Sequence, residues 1–198
     1  MERDDEVWSD IPDEDLWIYD KLILSKRLGY VCGPVGMDVP TPGFYCVRPC
    51  VNLLGMGVGS TIRYIVEDTD MYPAGYFWQE RFEGRHLSID YKDGEQVLCV
   101  EGFRHDSTNL TKFNKWVKVD ITPTLPSLVQ DIVNRYPTVN VETIAGKVIE
   151  VHLRGNPDFE DGAIECLPVW EGSIISPPEG YTYVEAKDYK RLGFYKKY

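Results

Sequence analysis

Two tight-turn signals constrain this chain more than any other feature. Asp93-Gly94 stands between Arg85–Lys92, where His86, Ser88 and Asp90 alternate with Leu87, Ile89 and Tyr91, and the strand-like run Gln96–Phe103. Ala145-Gly146 stands in the same way between Val139–Ile144 and Lys147–Leu153. A two-residue turn flanked by period-two alternation reads as a hairpin, and hairpins join antiparallel strands.

The remaining pattern fits around these hairpins. Leu16, Ile18, Tyr19, Leu22, Leu24 and Leu28 suit a helix over residues 14–28, with acids in its first turn. Residues 29–43 read as loop. Phe44–Arg48 is a short β run, Asn52–Ser60 a glycine-rich tip, and Thr61–Val66 a returning strand. Tyr76–Phe82 is strongly β, and Pro126–Tyr136 is a helix with Leu128, Val129, Ile132 and Val133 on one face. Short β segments are expected near Val169 and over Tyr181–Glu185. The order helix, hairpin, antiparallel strands, helix, hairpin predicts an α+β fold. No repeat or linker divides the 198 residues.

Composition excludes several function classes. With 21 Lys+Arg against 32 Asp+Glu, the net charge is −11, the wrong sign for binding a phosphate backbone by bulk charge. No nucleic-acid partner is expected. The opening residues lack the basic and then apolar pattern of a secretory signal. The uncharged run Pro49–Ile62 is too short and too rich in Gly and Asn to span a bilayer, so no membrane role is expected. Five scattered cysteines read as reduced thiols in a cytoplasmic protein. The ends are oppositely charged: eight acids in residues 1–15, and five bases in the last twelve. They are either two solvated tails or segments that meet, and meeting between chains would make a homo-oligomer.

Three constellations carry chemistry. Arg48 ends a strand beside Gly55, Gly57 and Gly59, where backbone N–H groups could approach phosphate oxygens with no Cβ in the way. Gln79-Glu80 leads through Glu83-Gly84-Arg85-His86 into a strand of alternating polar residues, which is either a cleft wall or a solvated face. Glu150, His152 and Arg154 share one strand face, with Ile149, Val151 and Leu153 opposite. If Glu142 lies across from Glu150, two carboxylates converge and favour a divalent cation; otherwise they pair with Arg154 and Lys147 on a wet face.

The order of these pieces resembles the ATP-grasp superfamily: a cationic strand with a glycine loop, then Q-E-x-x-x-G-R-H-x-x-x-D, then E-(x)7-E-x-H-x-R. The resemblance spans roughly residues 20–156. It implies a two-lobed fold, with antiparallel sheets flanked by helices and a nucleotide cleft between the lobes. It further implies an acidic segment 1–15, a domain over 16–175 (lobes 16–75 and 76–175) and a basic segment 176–198.

On this resemblance Lys21 and Arg48 would direct phosphates, while Gln79, Glu80 and Glu83 would hold the nucleotide at the hinge. Glu142, Glu150 and His152 would ligate Mg2+. His152 stands where the family has Asn, and as a softer ligand it would favour Mn2+. Arg85 and His86 would face the phosphates, and Arg154 would stabilise the transferring phosphoryl group or the bound carboxylate. The implied reaction is an ATP-dependent ligase activating a small-molecule or peptide carboxylate as an acyl-phosphate for attack by an amine or thiol. The alternative is a non-catalytic nucleotide-binding or scaffold protein of the same fold. No separate N-terminal substrate domain of the kind many members carry is visible in the sequence.

Overall fold

The computed structural model describes residues 4–53, 55–104, 110–159 and 161–198. Glu2 and Arg3 of the acidic stretch and Leu54 of the glycine tip lie outside them. The helices are α1 (Asp4–Trp8), α2 (Lys21–Arg27) and α3 (Ser127–Arg135). The strands are β1 (Cys32–Pro34), β2 (Gly43–Pro49), β3 (Thr61–Ile65), β4 (Tyr76–Glu80), β5 (His86–Lys92) and β6 (Glu95–Phe103). They continue with β7 (Lys115–Lys118), β8 (Thr138–Ile144), β9 (Lys147–His152), β10 (Glu165–Trp170), β11 (Thr182–Asp188) and β12 (Arg191–Lys197).

The strands form two antiparallel sheets. One has the order β1-β4-β2-β3, and the other β11-β12-β10-β7-β6-β5-β8-β9. Both hairpins form, with positive φ at Asp93 (51°), Gly94 (86°), Ala145 (52°) and Gly146 (77°), as a two-residue turn of this hand requires.

Local chemistry sets the helices. The Asp20 carboxylate accepts from the amides of Leu22 (2.9 Å) and Ile23 (3.0 Å), so α2 starts at Lys21, and the turn before it, Asp13–Ile18, is a 3-10 helix. The single helix expected over 14–28 is therefore two pieces. In α3, Val129, Ile132 and Val133 are buried against Ile89, Val139, Val141 and Val151 of the large sheet. β5 is buried from His86 to Tyr91, because the helix-covered core lies on one face and the cleft on the other.

Three segments depart from the expected divisions. Tyr76–Glu80, read as the start of the second lobe, is β4 of the four-stranded sheet, paired with β2 and β1. The basic C-terminal segment forms β11 and β12, and β12 lies between β11 and β10. The acidic N-terminal segment folds back through α1, whose Val7 and Trp8 pack on the main core. The oppositely charged ends find other partners: Asp15 pairs with Arg135, while Arg191 and Lys196 pair with Asp158 and Asp161.

The C-terminal strands leave no room at Gly193, between Val169 and Glu185, where a Cβ would clash with the Val184 carbonyl and sit 3.0 Å from the Tyr183 ring. Overpacking costs about 1–3 kcal/mol, and a backbone oxygen yields least. Gly193→Ala should therefore cost close to the upper figure, about 3 kcal/mol, and lower the melting temperature by roughly 6–12 °C. A change under 2 °C by calorimetry would count against β12 as an integral strand.

Candidate functional site

A cleft of about 650 Å3 opens between the two sheets. Its floor is the polar face of β5, β8 and β9. Register aligns Ser88, Glu142 and Glu150 in one row, and Asp90, Asn140 and His152 in the next. Asn140 donates to Ser88 Oγ (2.8 Å) and Asp90 Oδ1 (2.7 Å), and the Asn156 amide donates to both Asp90 carboxylate oxygens (3.0 and 2.9 Å). This network fixes the chain just beyond Arg154.

A bulge shapes the hairpin at its centre. Glu142 opposes Glu150 but Thr143 opposes Val148, leaving Ile149 as the extra residue. Strict alternation would have put Ile149 with Val151 in the core. Instead Ile149 lines the cleft and its carbonyl accepts from Arg48 Nη2 at 3.1 Å. One guanidinium thus ties β2 of the small sheet to β9 of the large one.

Most of the expected site residues line this cleft: Lys21, Arg48, Gly55, Gly57, Gln79, Glu80, Glu83, His86, Glu142, Glu150, His152 and Arg154. Their partners refine the picture. Lys21 is paired with Glu150 at 2.8 Å. Arg48 Nη2 donates to Gln79 Oε1 at 2.7 Å. Glu80 accepts from the Val31 amide (3.2 Å) and lies 3.8 Å from Lys147, while Glu83 pairs with Arg81 at 2.8 Å. Gly55, Gly57 and Gly59 all have positive φ, and the tip folds over the cleft until a Cβ on Gly57 would sit 3.1 Å from the Leu110 carbonyl. Gly59 does not line the cleft; it packs against Tyr76 and Pro49.

Arg85 is not brought to the site. It alternates away from His86 and forks Glu101 through Nε (2.8 Å) and Nη2 (2.5 Å). His86 faces the cleft, with Nε2 3.0 Å from Glu142 Oε2. Burial pushes the Glu142 carboxyl up, but the His86 hydrogen bond and charge, then His152 and Arg104, outweigh it and hold it below the ordinary range.

Two cleft residues carry no motif that would have announced them. Arg104 follows β6 with the parity of Gly102, so its side chain reaches the cleft, lying over the Phe113 ring at 3.7 Å. Burial brings its pKa down to about 10. Its Nη1 approaches His86 Nδ1 (3.4 Å) and its Nη2 donates to the Leu110 carbonyl (3.2 Å). The second is Asp4, 2% exposed. Its Oδ1 accepts from Arg154 Nε (2.8 Å) and lies 3.0 Å from His152 Nδ1, and its Oδ2 accepts from Arg154 Nη2 (2.8 Å). Removing one partner of a buried pair costs roughly 3–5 kcal/mol, so this contact anchors α1. No sequence rule links residues 148 and 150 positions apart.

The Asp4–His152 pair gives a pH signature. Burial raises the Asp4 carboxyl, but His152 and Arg154 hold it well below the ordinary range. Burial lowers the His152 imidazolium, but Asp4 and then Glu150 carry it above its usual value. Asp4 therefore stabilises fully above about pH 4 and loses its contribution as pH falls further. His152 stabilises fully below about pH 6.5 and loses its contribution as pH rises through its folded value. Urea midpoints of wild type and Asp4→Asn should differ most between these limits; a gap independent of pH would contradict the pairing.

Glu142 and Glu150 fit a hard divalent cation. Mg2+ is usually held by one or two carboxylates together with phosphate oxygens and water, and two opposed carboxylates on a cleft floor supply the protein's share. Among the described residues no cluster of three His, Cys, Asp or Glu side chains is placed to hold a metal by itself. His152 presents Nδ1 to Asp4, and its Nε2 lies 3.8 Å from Glu150 Oε1. All five cysteines are free thiols. No helix among the described residues is long and apolar enough to cross a membrane.

No family model and no curated protein matches the chain. Solved structures do. One from Archaeoglobus fulgidus, provisionally described as an ATP-grasp superfamily protein, is 17% identical; the match covers 90% of this chain and 64% of that one, with a TM-score of 0.53. The ATP-grasp ligase PsnB, complexed with a minimal precursor, is 13% identical over 76% of this chain and 56% of its own, with a TM-score of 0.46. D-alanine–D-alanine ligase from Bacillus anthracis is 17% identical over 70% and 58%, with a TM-score of 0.40. The chain spans less than two-thirds of the length of each. The likeness to ATP-grasp proteins read from the motifs is thus shown in the fold.

Proposed function

We propose, from a chain that has the ATP-grasp fold, that this protein is an ATP- and Mg2+-dependent ligase joining a carboxylate to an amine or another nucleophile. One observation carries the reading. Of the five buried side-chain polar atoms without a partner among the described residues, three are N–H donors, and all three belong to cleft residues: Arg48 Nε, Gln79 Nε2 and Arg104 Nε. An unmade buried hydrogen bond costs about 1–3 kcal/mol. Arg48 and Arg104 also have no carboxylate in ion-pair contact among the described residues, so these cleft N–H groups lack acceptors, and a polyphosphate toward which they turn would supply them.

Glu142 and Glu150 are the residues that would hold Mg2+, whose chemistry there is to neutralise phosphate charge. Arg48, Gln79 and the Gly55–Gly57 backbone would cover the phosphates, with Glu80 and Glu83 at the nucleotide's other end. The substrate carboxylate attacks the γ-phosphorus, an O–P bond forms, the bond to the β-phosphate oxygen breaks, and ADP leaves. The amine or other nucleophile then attacks the acyl carbon and forms the new bond, inorganic phosphate departs with the bonding pair, and the nucleophile's proton passes to that phosphate or to water. Arg104 and Arg48 face the charge of the transferring group, and the folded tip excludes water that would hydrolyse the acyl-phosphate. The free thiols support a reducing, cytoplasmic location.

The test is ADP release from Mg2+·ATP in the presence of mixed carboxylates and amines, including peptides. Release that requires both supports a ligase. Tight binding without release in any mixture favours the non-catalytic alternative, and a flat thermal shift with Mg2+·ATP sinks both.

A further inference from the structure

The N-terminal segment brings a carboxylate into the cleft. Asp4, at the first position of α1, meets Arg154 at two points and His152 at a third. From there charged groups continue: His152 Nε2 lies 3.8 Å from Glu150 Oε1, and Glu150 lies 2.8 Å from Lys21 Nζ. The line Arg154–Asp4–His152–Glu150–Lys21 runs through Glu150, one of the two carboxylates assigned to the cation.

Two roles fit a carboxylate there. It is either a plug, held on Arg154 until a ligand displaces it, or a fixed support. The packing decides. Trp8 meets Tyr19 edge-on with centroids 5.7 Å apart, Tyr19 meets His152 edge-on at 6.3 Å, and the Tyr19 hydroxyl accepts from the Leu153 amide at 3.0 Å. Withdrawing Asp4 would break this stack and strand a buried guanidinium and imidazole. A displaceable plug is held by less. Arg154 is also committed elsewhere, its Nη1 donating to the Gly155 carbonyl at 3.0 Å.

We propose that Asp4 is a positioning residue of the cleft: it fixes the His152 ring and the Arg154 fork, and through His152 sets the Glu150 carboxylate toward the bound cation. A carboxylate on the far nitrogen of an imidazole orients its near nitrogen in this way. The inference rests on the proposed function, since the cation enters with the nucleotide.

The test uses the full chain and Asp4→Asn. Calorimetry measures binding of a non-hydrolysable ATP analogue with Mg2+ and with chelator, and nitrogen NMR reads the imidazoles of the ligand-free protein, which has three histidines in all. The expected result is a shifted His152 ring signal, chelator-condition affinity within about two-fold of wild type, and a Mg2+-dependent gain reduced roughly ten- to hundred-fold. Should Asp4→Asn fail to fold, Asp4→Glu keeps the charge and displaces the carboxylate by one methylene, with the same outcomes expected. An unchanged Mg2+ response in a variant beside a binding wild type overturns this inference alone. Tighter nucleotide binding overturns it in favour of a plug. Absence of binding by wild type overturns the proposed function and this inference with it.

Discussion

Arg48→Met should weaken binding of Mg2+·ATP by roughly 10- to 150-fold. The figure follows from one charge-assisted hydrogen bond to phosphate, about 1.5–3 kcal/mol. Arg48 is 6% exposed, so its charge is largely out of water. Its Nη2 is spent on Gln79 and the Ile149 carbonyl, while its Nε has no partner among the described residues. Met keeps the stem beside the Phe77 ring, which lies 5.2 Å from the guanidinium carbon, so lost packing is small. The tie between β2 and β9 is lost as well, so the melting temperature should fall even without ligand. Arg48→Lys should recover part of the affinity, because charge returns without the fork. Calorimetric affinities within three-fold of wild type would remove Arg48 from the phosphate site.

Glu150→Gln should abolish the Mg2+ dependence of nucleotide binding and, with it, turnover. Groups one step removed from a metal cost ten- to hundred-fold when changed, so losing a ligating carboxylate should exceed about a hundred-fold. The amide keeps shape and removes charge. It also strands Lys21, whose side chain is 8% exposed, so some stability is lost while the fold persists. Titrating Mg2+ at fixed analogue concentration separates the effects: a loss of stability alone leaves the Mg2+ response intact. Wild-type turnover in this variant would end the metal assignment at Glu150.

Much of this architecture was legible because it is local. Asp93-Gly94 and the glycine of Ala145-Gly146 announce their hairpins, because Gly and Asp adopt positive φ more readily than other residues, while Ala145 is carried there by the turn. The same alternation that set His86 on the cleft face also sets Arg85 on the other, so Arg85 followed from a rule already in hand. Arg104 was within reach too, sharing parity with Gly102 at the end of β6. The bulge at Ile149 was not, since one extra residue leaves no mark on composition. Nor was β12: the sequence around Arg191 reads as a charged tail, and only its burial beside Asp158 and Phe194 makes it a strand of the sheet. Asp4 lay furthest beyond reach, because an acid among eight in a charged stretch looks like solvent-exposed surface. The net charge of −11 likewise hides where charge matters: Arg48 and Arg104 have no carboxylate in ion-pair contact among the described residues, whereas Lys21 and Arg154 do.

The cleft is proposed to hold one polyphosphate between the two sheets, with its cation on Glu142 and Glu150. A crystal structure of the full chain with Mg2+ and a non-hydrolysable ATP analogue tests it most directly. Phosphates are expected within hydrogen-bond distance of the Arg48 and Arg104 guanidinium groups, with a metal held by Glu142 and Glu150. A nucleotide bound elsewhere, or a cleft in which Glu150 stays on Lys21 and no metal joins the glutamates, would contradict it.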